Sequence, residues 1–275
     1  MFPKKNGPRL VLVTGAASGL GLELAKQFLD NGDRVILTDI HASAPDSLNQ
    51  LDQLSGDWSY RALEVTSEDD WNAVAEDIDE LDVLISNAGI AVGGSVDSTS
   101  LETWQRALDI NLLGSVRGVR ALSPKIAKGG RISLTASLAG LVHAPSMATY
   151  NTTKAATVAL GETLDAELRH RKISVSVICP QFFKSGLASS LTGDDESADD
   201  LARWLLNNTW LDAATIARRA VKGIEARRVV VTPDAFAAFN WYSKRFTRIP
   251  HLMAVRAIGW GVAKQQQRTQ KNTKR

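Results

Sequence analysis

A glycine-rich turn between two apolar runs near the amino terminus most constrains how this chain can fold. Residues 10–13 are apolar, residues 14–21 read TGAASGLG, and a second apolar run occupies residues 35–37, followed by Thr38. Between them, from Gly19 to Asn31, apolar residues recur at helical spacing. The pattern predicts a strand, a tight turn, a helix and a second strand, which together form one βαβ unit. Its parallel strands require a sheet covered by helices on both faces.

The chemistry of this turn is typical of a nucleotide cradle. Gly15 permits the tight turn, Gly19 lets the backbone approach a pyrophosphate, and Gly21 allows the helix to pack closely on the strand. Asp39 follows the second strand, where a carboxylate can accept hydrogen bonds from two ribose hydroxyls and repel a 2′-phosphate. Each feature alone also occurs in ordinary turns. Their order inside a βαβ unit predicts NAD as cofactor rather than NADP.

The rest of the chain continues the alternation of strands and helices. With 275 residues, 44% of them hydrophobic and 23% charged, it can bury a large core. We predict one α/β domain over residues 1–275, a three-layer doubly wound Rossmann-type fold with a mostly parallel seven-stranded sheet. Its site is expected at the carboxyl ends of the strands. The predicted strands lie near residues 10–13, 35–38, 60–65, 82–86, 131–135, 173–179 and 228–232.

A tyrosine and a lysine at helical spacing are the main catalytic candidates. Tyr150 and Lys154 are four residues apart, and Ser137 lies thirteen residues before the tyrosine. Side chains at this spacing share one face of a helix. A lysine there would lower the pKa of the phenol, which would make Tyr150 a general base for an alcohol. Taken alone, such a pair is more often an ordinary surface pair.

Four separated motifs together resemble those of the classical short-chain dehydrogenase/reductase family, over about Leu10 to Ser185. The family's TGxxxGxG motif is matched by Thr14, Gly15, Gly19 and Gly21, its NNAG motif by the SNAG of residues 86–89, and its remaining motifs by Asn111 in DINLLG and by Ser137, Tyr150 and Lys154. The order of the motifs along the chain is also that of the family.

The resemblance implies a hydride-transfer mechanism with Asn111, Ser137, Tyr150 and Lys154 as catalytic residues. Tyr150 would take the hydroxyl proton of an alcohol while hydride passes to a nicotinamide, and Ser137 would hold the same oxygen. Lys154 would lower the pKa of Tyr150 and bind the ribose, and Asn111 would hold a water in a proton relay. In reverse, a ketone would be reduced.

The resemblance also implies which residues contact the cofactor and the substrate. The implied cofactor contacts are Gly15, Ser18, Gly19, Leu20, Gly21, Asp39, Glu64, Val65, Asn87, Ala88, Gly89, Tyr150, Lys154, Pro180 and Ser185. The implied substrate contacts are Ser137, His143, Tyr150 and Gln181, with a surface position of His143 as the alternative. Three positions depart from the family pattern: Gln181 replaces the glycine after Pro180, Ser185 replaces a threonine, and Glu64 precedes Val65 where the family usually has an aspartate.

Residues 186–210 allow two interpretations. An acidic run there is followed by LARWLLNNTW, which predicts a helix with one apolar face. The helix is either a lid over the substrate pocket or part of the core packing. If it is a lid, the substrate is a lipophilic alcohol or ketone, such as a steroid or a cyclic or long-chain alcohol.

Residues 235–275 form a basic and aromatic carboxyl-terminal extension. Nine lysines and arginines occur after Asp234, and no acidic residue does. This mixture is typical of a membrane interface, but the aromatic part can equally pack on the domain or on a second subunit. Binding to nucleic acid is disfavoured, because the basic run is confined to a terminal appendage.

Other sequence features limit the function classes. No apolar stretch precedes the first strand, so a cytoplasmic location is expected, with peripheral membrane contact through the extension as one alternative. Cys179 is the single cysteine, and the four histidines lack metal-ligand spacing, so no metal is expected. The resemblance implies a homodimer or homotetramer. Besides the leading dehydrogenase or reductase, a cofactor-binding regulatory or scaffold protein and an epimerase or dehydratase remain alternatives.

Overall fold

The computed structural model describes residues 7–184, 194, 209 and 211–273, with the backbone alone at residues 262, 263 and 265–273. Seven strands form one parallel sheet in the order β3-β2-β1-β4-β5-β6-β7. They are β1 (Leu10–Thr14), β2 (Arg34–Asp39), β3 (Trp58–Ala62), β4 (Leu81–Ser86), β5 (Ile126–Thr135), β6 (Ser174–Ile178) and β7 (Val230–Val231). This confirms the predicted doubly wound α/β fold.

Helices connect the strands and cover the sheet. They are α1 (Gly19–Asp30), α2 (Glu68–Glu76), α3 (Leu101–Leu108), α4 (Gly114–Leu122), α5 (Ala139–Val142), α6 (Ala148–Leu168), α7 (Ala213–Glu225), α8 (Ala235–Phe246) and α9 (Arg248–Thr273). One π-helical turn (Asp109–Leu113) joins α3 to α4, and 3₁₀ turns occur at Asp46–Gln53, Ser123–Lys125 and Arg169–Arg171. None of the helices in the described part of the chain is long and apolar enough to cross a membrane.

The alternation of side chains along β1 divides the core into two layers. Val11 and Val13 face the layer that contains α1 and α7, whereas Leu12 faces the layer that contains α2, α4 and α6. Phe28 of α1 is completely buried in the first layer, and Trp71 of α2 is almost completely buried in the second. Burying each of these rings contributes about 1.5–3 kcal/mol to stability. The two layers hold the sheet rigid beneath the site.

Most strand predictions agree with the structure to within one or two residues, but β3 and β5 differ more. β3 begins and ends earlier than the predicted 60–65, because the chain leaves the sheet after Ala62 and turns at Glu64, whose carbonyl accepts from the Ser67 amide. β5 begins at Ile126, five residues before the predicted start. The pair of glycines at 129–130 interrupts the apolar pattern there, and the pairing with β4 shifts register in this region.

The strand order places a crevice above β1 and β4. The chain leaves β1 for β2 and β3 on one side, then crosses to β4 and continues on the other side. Connections that run in opposite directions from neighbouring strands leave a gap at the strands' carboxyl ends, where ligands of such folds bind. The glycine-rich turn follows β1, and the SNAG segment begins at the end of β4.

Candidate active site

A cavity of about 490 Å³ lies at the carboxyl ends of the central strands. Its lining contains most of the residues predicted to hold cofactor or substrate: Gly15, Ser18, Gly19, Leu20, Asp39, Glu64, Val65, Asn87, Ala88, Gly89, Ser137, Tyr150, Lys154, Pro180 and Gln181. They come from segments that are far apart in the chain. The parallel sheet brings them together because all its strands end on the same side.

The glycine turn has the geometry that its sequence predicts. Gly15 and Gly19 adopt φ values of +62° and +56°, which glycine reaches without the Cβ penalty of other residues. At Gly21 an added Cβ would lie 2.1 Å from the Gly15 carbonyl oxygen and 2.6 Å from the Asn87 amide nitrogen. Gly21 does not line the cavity. It lies behind the turn, where it permits α1 to pack against it.

The amino end of α1 lines this cavity through Ser18, Gly19 and Leu20. Ser18 is the N-cap residue, but its side chain makes no capping hydrogen bond, whereas Ser67, Ser100 and Asp212 cap α2, α3 and α7. The first amides of a helix lack partners within the helix and favour anionic oxygens. The residues present therefore fit the diphosphate of a dinucleotide.

Asp39 connects the end of β2 to the glycine turn. Its carboxylate accepts hydrogen bonds from the backbone amides of Ala17 at 3.0 Å and Ile40 at 2.8 Å, and His41 lies 4.0 Å away. The side chain is 15% exposed and lines the cavity. The two amides orient the carboxylate at the edge of the cavity that continues from the glycine turn.

Asn87 ties β4 to both neighbouring strands. Its backbone amide donates to the Thr14 hydroxyl, its side-chain amide donates to the carbonyls of Thr14 and Gly15, and its side-chain oxygen accepts from the Thr135 hydroxyl. Ala88 also donates its amide to Thr14. These bonds hold the ends of β1, β4 and β5 together and support the glycine turn from below.

Ser137 and Tyr150 both line the cavity and form a hydrogen bond with each other. Ser137 follows β5, and Tyr150 lies in the first turn of α6. Burial raises the pKa of the Tyr150 phenol to about 12, and a hydrogen bond with Ser137 acts in the lowering direction. The expectation that Lys154 lowers the pKa of this phenol is therefore corrected: burial dominates, because it penalises the phenolate.

Lys154 is buried one helical turn from Tyr150. Its Nζ donates a 2.9 Å hydrogen bond to the carbonyl of Thr135 and lies 5.7 Å from the centre of the Tyr150 ring. Burial lowers the pKa of the lysine to about 8. The spacing in the sequence thus correctly predicts that the two side chains share one site. The Thr135 carbonyl is a partner that the sequence pattern does not reveal.

Asn111 lies in the π-helical turn between α3 and α4 and does not line the cavity. Its side-chain oxygen accepts from the Ile90 amide at 2.8 Å, and its side-chain amide donates to the Ile90 carbonyl at 3.0 Å and to the Thr153 hydroxyl at 3.3 Å. Such π turns often occur at functional sites. Here the turn directs Asn111 onto the segment after Gly89, so its observed contacts support the cavity wall.

The loop after β6 brings Pro180 and Gln181 to the cavity. The Gln181 amide donates to Asp234 at 3.3 Å, and Asp234 also caps α8 by accepting from the Ala237 amide at 2.7 Å. A buried carboxylate thus connects the loop beside the candidate catalytic side chains to the carboxyl-terminal helices. Neither Asp234 nor this contact could be inferred from the motifs, because the partners are 53 residues apart.

Two of the predicted contacts have other partners. Glu64 lines the cavity, but its carboxylate accepts from the amide and hydroxyl of Thr66. His143 is exposed and does not line the cavity; its Nδ1 lies 2.9 Å from the Lys244 ammonium of α8. Partial burial of the ring against the domain and the Lys244 charge lower the pKa of His143. The contact between His143 and α8 arises from tertiary packing, so the sequence pattern does not reveal it.

Ser185 and almost all of the segment 186–210 lie outside the described residues, so the predictions for that contact and for a lid remain predictions. Two members of the segment are described. Asp194 accepts from the Ser100 amide at the start of α3, and the Thr209 hydroxyl donates to the Phe182 carbonyl. These two residues therefore contact the start of α3 and the loop after β6.

The sequence reasoning did not name several residues that line the cavity: Ile40, Leu63, Ile90, Ala91, Arg106, Ile110, Thr135, Ala136, Leu138, Ala139, Val142, Ala144, Met147, Phe182 and Phe183. Most of them are apolar and follow or precede a motif residue. Their proximity to the motifs was a usable signal for Ile40 and Ala136. No pattern marks Met147 or Phe182.

Comparisons with known proteins agree with this fold and site. A protein of Mycobacterium tuberculosis named "Probable oxidoreductase EphD" is 28% identical over a 252-residue alignment that covers 85% of this chain and 43% of that protein. The chain thus spans less than half the length of this relative. The NADP-dependent (R)-specific alcohol dehydrogenase of Lentilactobacillus kefiri is 28% identical over 68% of this chain and 78% of its own.

A solved structure and a family model also match the chain. A short chain dehydrogenase/reductase from Burkholderia phymatum, in complex with NAD, superposes with a TM-score of 0.81 at 24% identity and covers 88% of this chain and 95% of its own. The model of the short chain dehydrogenase family matches residues 9–196, which contain the glycine turn, the SNAG segment and the Ser137, Tyr150 and Lys154 group. The chain belongs to the short-chain dehydrogenase family.

Proposed function

We propose that the protein is an NAD-dependent oxidoreductase that interconverts a secondary alcohol and a ketone. The observation that carries this proposal is the convergence of Ser137, Tyr150 and Lys154 on the cavity that also contains the glycine turn and Asp39. A dinucleotide cradle and a buried acid–base group in one cavity match the requirements of hydride transfer.

The residues that would hold the cofactor form a continuous path along the cavity. The α1 amides and the glycine turn would bind the diphosphate, Asp39 the adenosine ribose, and Lys154 the nicotinamide ribose. When bound, the nicotinamide supplies the hydride acceptor or donor. Pro180 and Gln181 would border it, in a loop connected to Asp234.

In the proposed oxidation, Tyr150 accepts the hydroxyl proton of the substrate, and Ser137 hydrogen-bonds the same oxygen. In the reduction, Tyr150 donates its proton to the developing alkoxide. Because both side chains are in the cavity wall and hydrogen-bonded to each other, one substrate oxygen can contact both. The hydrogen bond to the Thr135 carbonyl holds Lys154 in position. Its side chain would bind the nicotinamide ribose and exchange protons.

Asp39 supports a preference for NAD over NADP. Its carboxylate is oriented by two backbone amides and would accept from the 2′- and 3′-hydroxyls, while its charge would repel a 2′-phosphate. The Lentilactobacillus relative is NADP-dependent by name, so this preference is a property that we infer for the present chain from its own residues.

The wall near Tyr150 supports a lipophilic substrate. Val142, Ala144, Met147 and Phe182 line the cavity on this side, beside Leu138. An apolar wall with a few directed polar groups is typical of sites for small apolar ligands. Cyclic, steroidal and long-chain secondary alcohols, or the matching ketones, therefore form the first substrate panel. We further propose a homo-oligomer, which light scattering of the purified chain would test.

The decisive experiment measures NADH and NADPH formation with this panel for the native protein, for Tyr150→Phe and for Tyr242→Phe. Tyr242 lies on α8 and does not line the cavity, so its variant controls for loss of a phenol elsewhere. We expect NAD-dependent turnover in the native protein and the control, and at least about a hundredfold loss in Tyr150→Phe. Tight NAD binding without turnover on the whole panel would favour a cofactor-binding regulatory protein instead.

A further inference from the structure

An apolar and basic surface remains uncovered on the two carboxyl-terminal helices. We call it the outer face, and it comprises Phe236, Phe239, Tyr242 and Phe246 of α8 and Ile249, Leu252, Met253, Arg256, Trp260 and Lys264 of α9. Phe246 is 76% exposed, and Phe239 and Trp260 are each 71% exposed. Single exposed apolar side chains are ordinary on protein surfaces, whereas a continuous group of them usually marks an interaction surface.

The inner sides of the same helices are already packed on the domain. On α8, Ala237 and Trp241 belong to a buried cluster with residues of α5 and β6. On α9, the His251 Nε2 lies 3.4 Å from the Val142 carbonyl, and Gly259 lies against Pro145. The contacts of the inner side already hold each helix on the domain. The outer face is therefore not needed for packing within the domain.

The charge of this segment indicates the kind of partner. Residues 235–275 contain nine lysines and arginines and no aspartate or glutamate. On the outer face, Arg256 lies between the apolar side chains of α9, and the Lys264 ammonium lies 5.1 Å from the centre of the Trp260 ring. Aromatic rings and cations on one side of a helix match the boundary between acyl chains and anionic headgroups.

We propose that the outer face docks the protein on an anionic lipid surface. Each cation near such a surface contributes about 1 kcal/mol, and the exposed rings would add the burial of apolar area. A second copy of this chain is a weaker candidate, because a symmetric contact would bring two sets of like charges together without a compensating acid.

The helices that carry the outer face pack, through their inner sides, against the wall of the proposed substrate cavity. The Lys244 ammonium donates to the Leu141 carbonyl, and α9 contacts Val142, a residue of the cavity wall. Ala144, two residues further, also lines the cavity. Lipid binding by the outer face does not depend on the proposed function.

Vesicle flotation of the full chain tests the proposal. We expect the protein to float with vesicles of phosphatidylcholine and phosphatidylglycerol, not with phosphatidylcholine alone, and to be released as salt is added. The double variant Arg256→Gln/Lys264→Gln should bind roughly twenty-five-fold more weakly, since each lost cation is expected to reduce binding about fivefold. Phe239→Ser/Trp260→Ser should also bind more weakly while keeping the far-ultraviolet circular dichroism of the native protein.

Two control variants separate the outer face from general effects of charge and apolarity. Lys128→Gln/Lys222→Gln removes the same charge from exposed positions elsewhere, and Val96→Ser/Leu101→Ser removes exposed apolar side chains elsewhere. Both should bind like the native protein. Equal losses in test and control variants, binding to neutral vesicles, or no binding at all would each overturn the proposal.

The competing occupant has its own signature. If sedimentation shows a concentration-dependent dimer that Phe239→Ser/Trp260→Ser abolishes, a second copy covers the face and the lipid proposal is wrong. Turnover with NAD is measured without vesicles, so failure of lipid docking and failure of the proposed function are observed independently.

Discussion

The Lys154 ammonium lies 5.7 Å from the centre of the Tyr150 ring, and burial shifts the pKa values of these two side chains in opposite directions. The pKa of Tyr150 rises to about 12 and that of Lys154 falls to about 8. Both shifts favour the uncharged form, as expected when ionisable groups leave water. A charge that enters this site will therefore have a large effect on its protonation.

The first prediction concerns the pH dependence of the two directions. The proposed alcohol oxidation uses Tyr150 without its proton as the base, so its rate should rise about tenfold per pH unit while the pH is below the phenol's pKa. Ketone reduction requires the protonated phenol and should stay nearly level over the same range. Initial rates of NADH formation and consumption between about pH 6 and about pH 9 test this. A level profile for oxidation would contradict Tyr150 as the base.

The second prediction concerns the choice between NAD and NADP. Asp39→Ala and Asp39→Asn both remove the charge, and the asparagine retains an oxygen that can accept from Ala17. We expect both variants to raise the ratio of kcat/KM for NADP to that for NAD at least about tenfold, because the repulsion of a 2′-phosphate is lost. If this ratio changes only in the alanine variant, the preference depends on the hydrogen bonds that Asp39 makes. If it changes in neither variant, Asp39 does not determine the choice of cofactor.

The third prediction concerns the packing behind the glycine turn. A Cβ at position 21 would lie 2.1 Å from the Gly15 carbonyl oxygen, so Gly21→Ala should lower the free energy of unfolding by about 1–3 kcal/mol and weaken NAD binding. Gly261→Ala is the matched control, because a Cβ there would meet nothing within 4 Å. Urea denaturation and cofactor titration measure both effects. If the two variants are equally stable, the turn adjusts to the added methyl group at position 21 and the prediction is wrong.

The fourth prediction concerns the buried carboxylate after β7. Asp234 caps α8 and accepts from the Gln181 amide, so Asp234→Ala should cost about 1–2 kcal/mol of stability and also raise the KM for the cofactor. Asp234→Asn keeps an oxygen for the cap and should retain most of the stability. If the alanine variant loses stability but binds cofactor normally, the loop at Pro180 does not depend on this contact.

The parts of the candidate site that could be predicted are those whose function requires particular residues at short spacing. Gly15, Gly19 and Gly21 could be recognised because the turn's dihedrals and close contacts exclude side chains there. Tyr150 and Lys154 could be paired because helical geometry brings residues four apart to one face. The order of β1, α1 and β2 followed from hydrophobic periodicity for the same local reason.

The parts that could not be predicted depend on contacts between distant segments. Lys154 bonds a carbonyl on β5, Asn111 bonds the segment after Gly89, and Asp234 bonds Gln181. Backbone carbonyls and amides are present at every position except for the missing proline amide, so no residue pattern marks the ones that a fold will use. His143 is the opposite case. Its position in the sequence between Ser137 and Tyr150 implied a contact with the substrate, whereas tertiary packing places it beside Lys244.

The sequence by itself therefore determined the fold class and the set of chemical groups available for catalysis, because both are encoded in periodicity and in short motifs. Only the tertiary structure decided the protonation of those groups and the surroundings of the site. The pKa of Tyr150 depends on how completely the domain excludes water from it, and the exposure of Phe239 and Trp260 depends on which side of α8 and α9 the domain covers. Burial is a property of the whole packed molecule, so it cannot be assigned from residues taken one at a time.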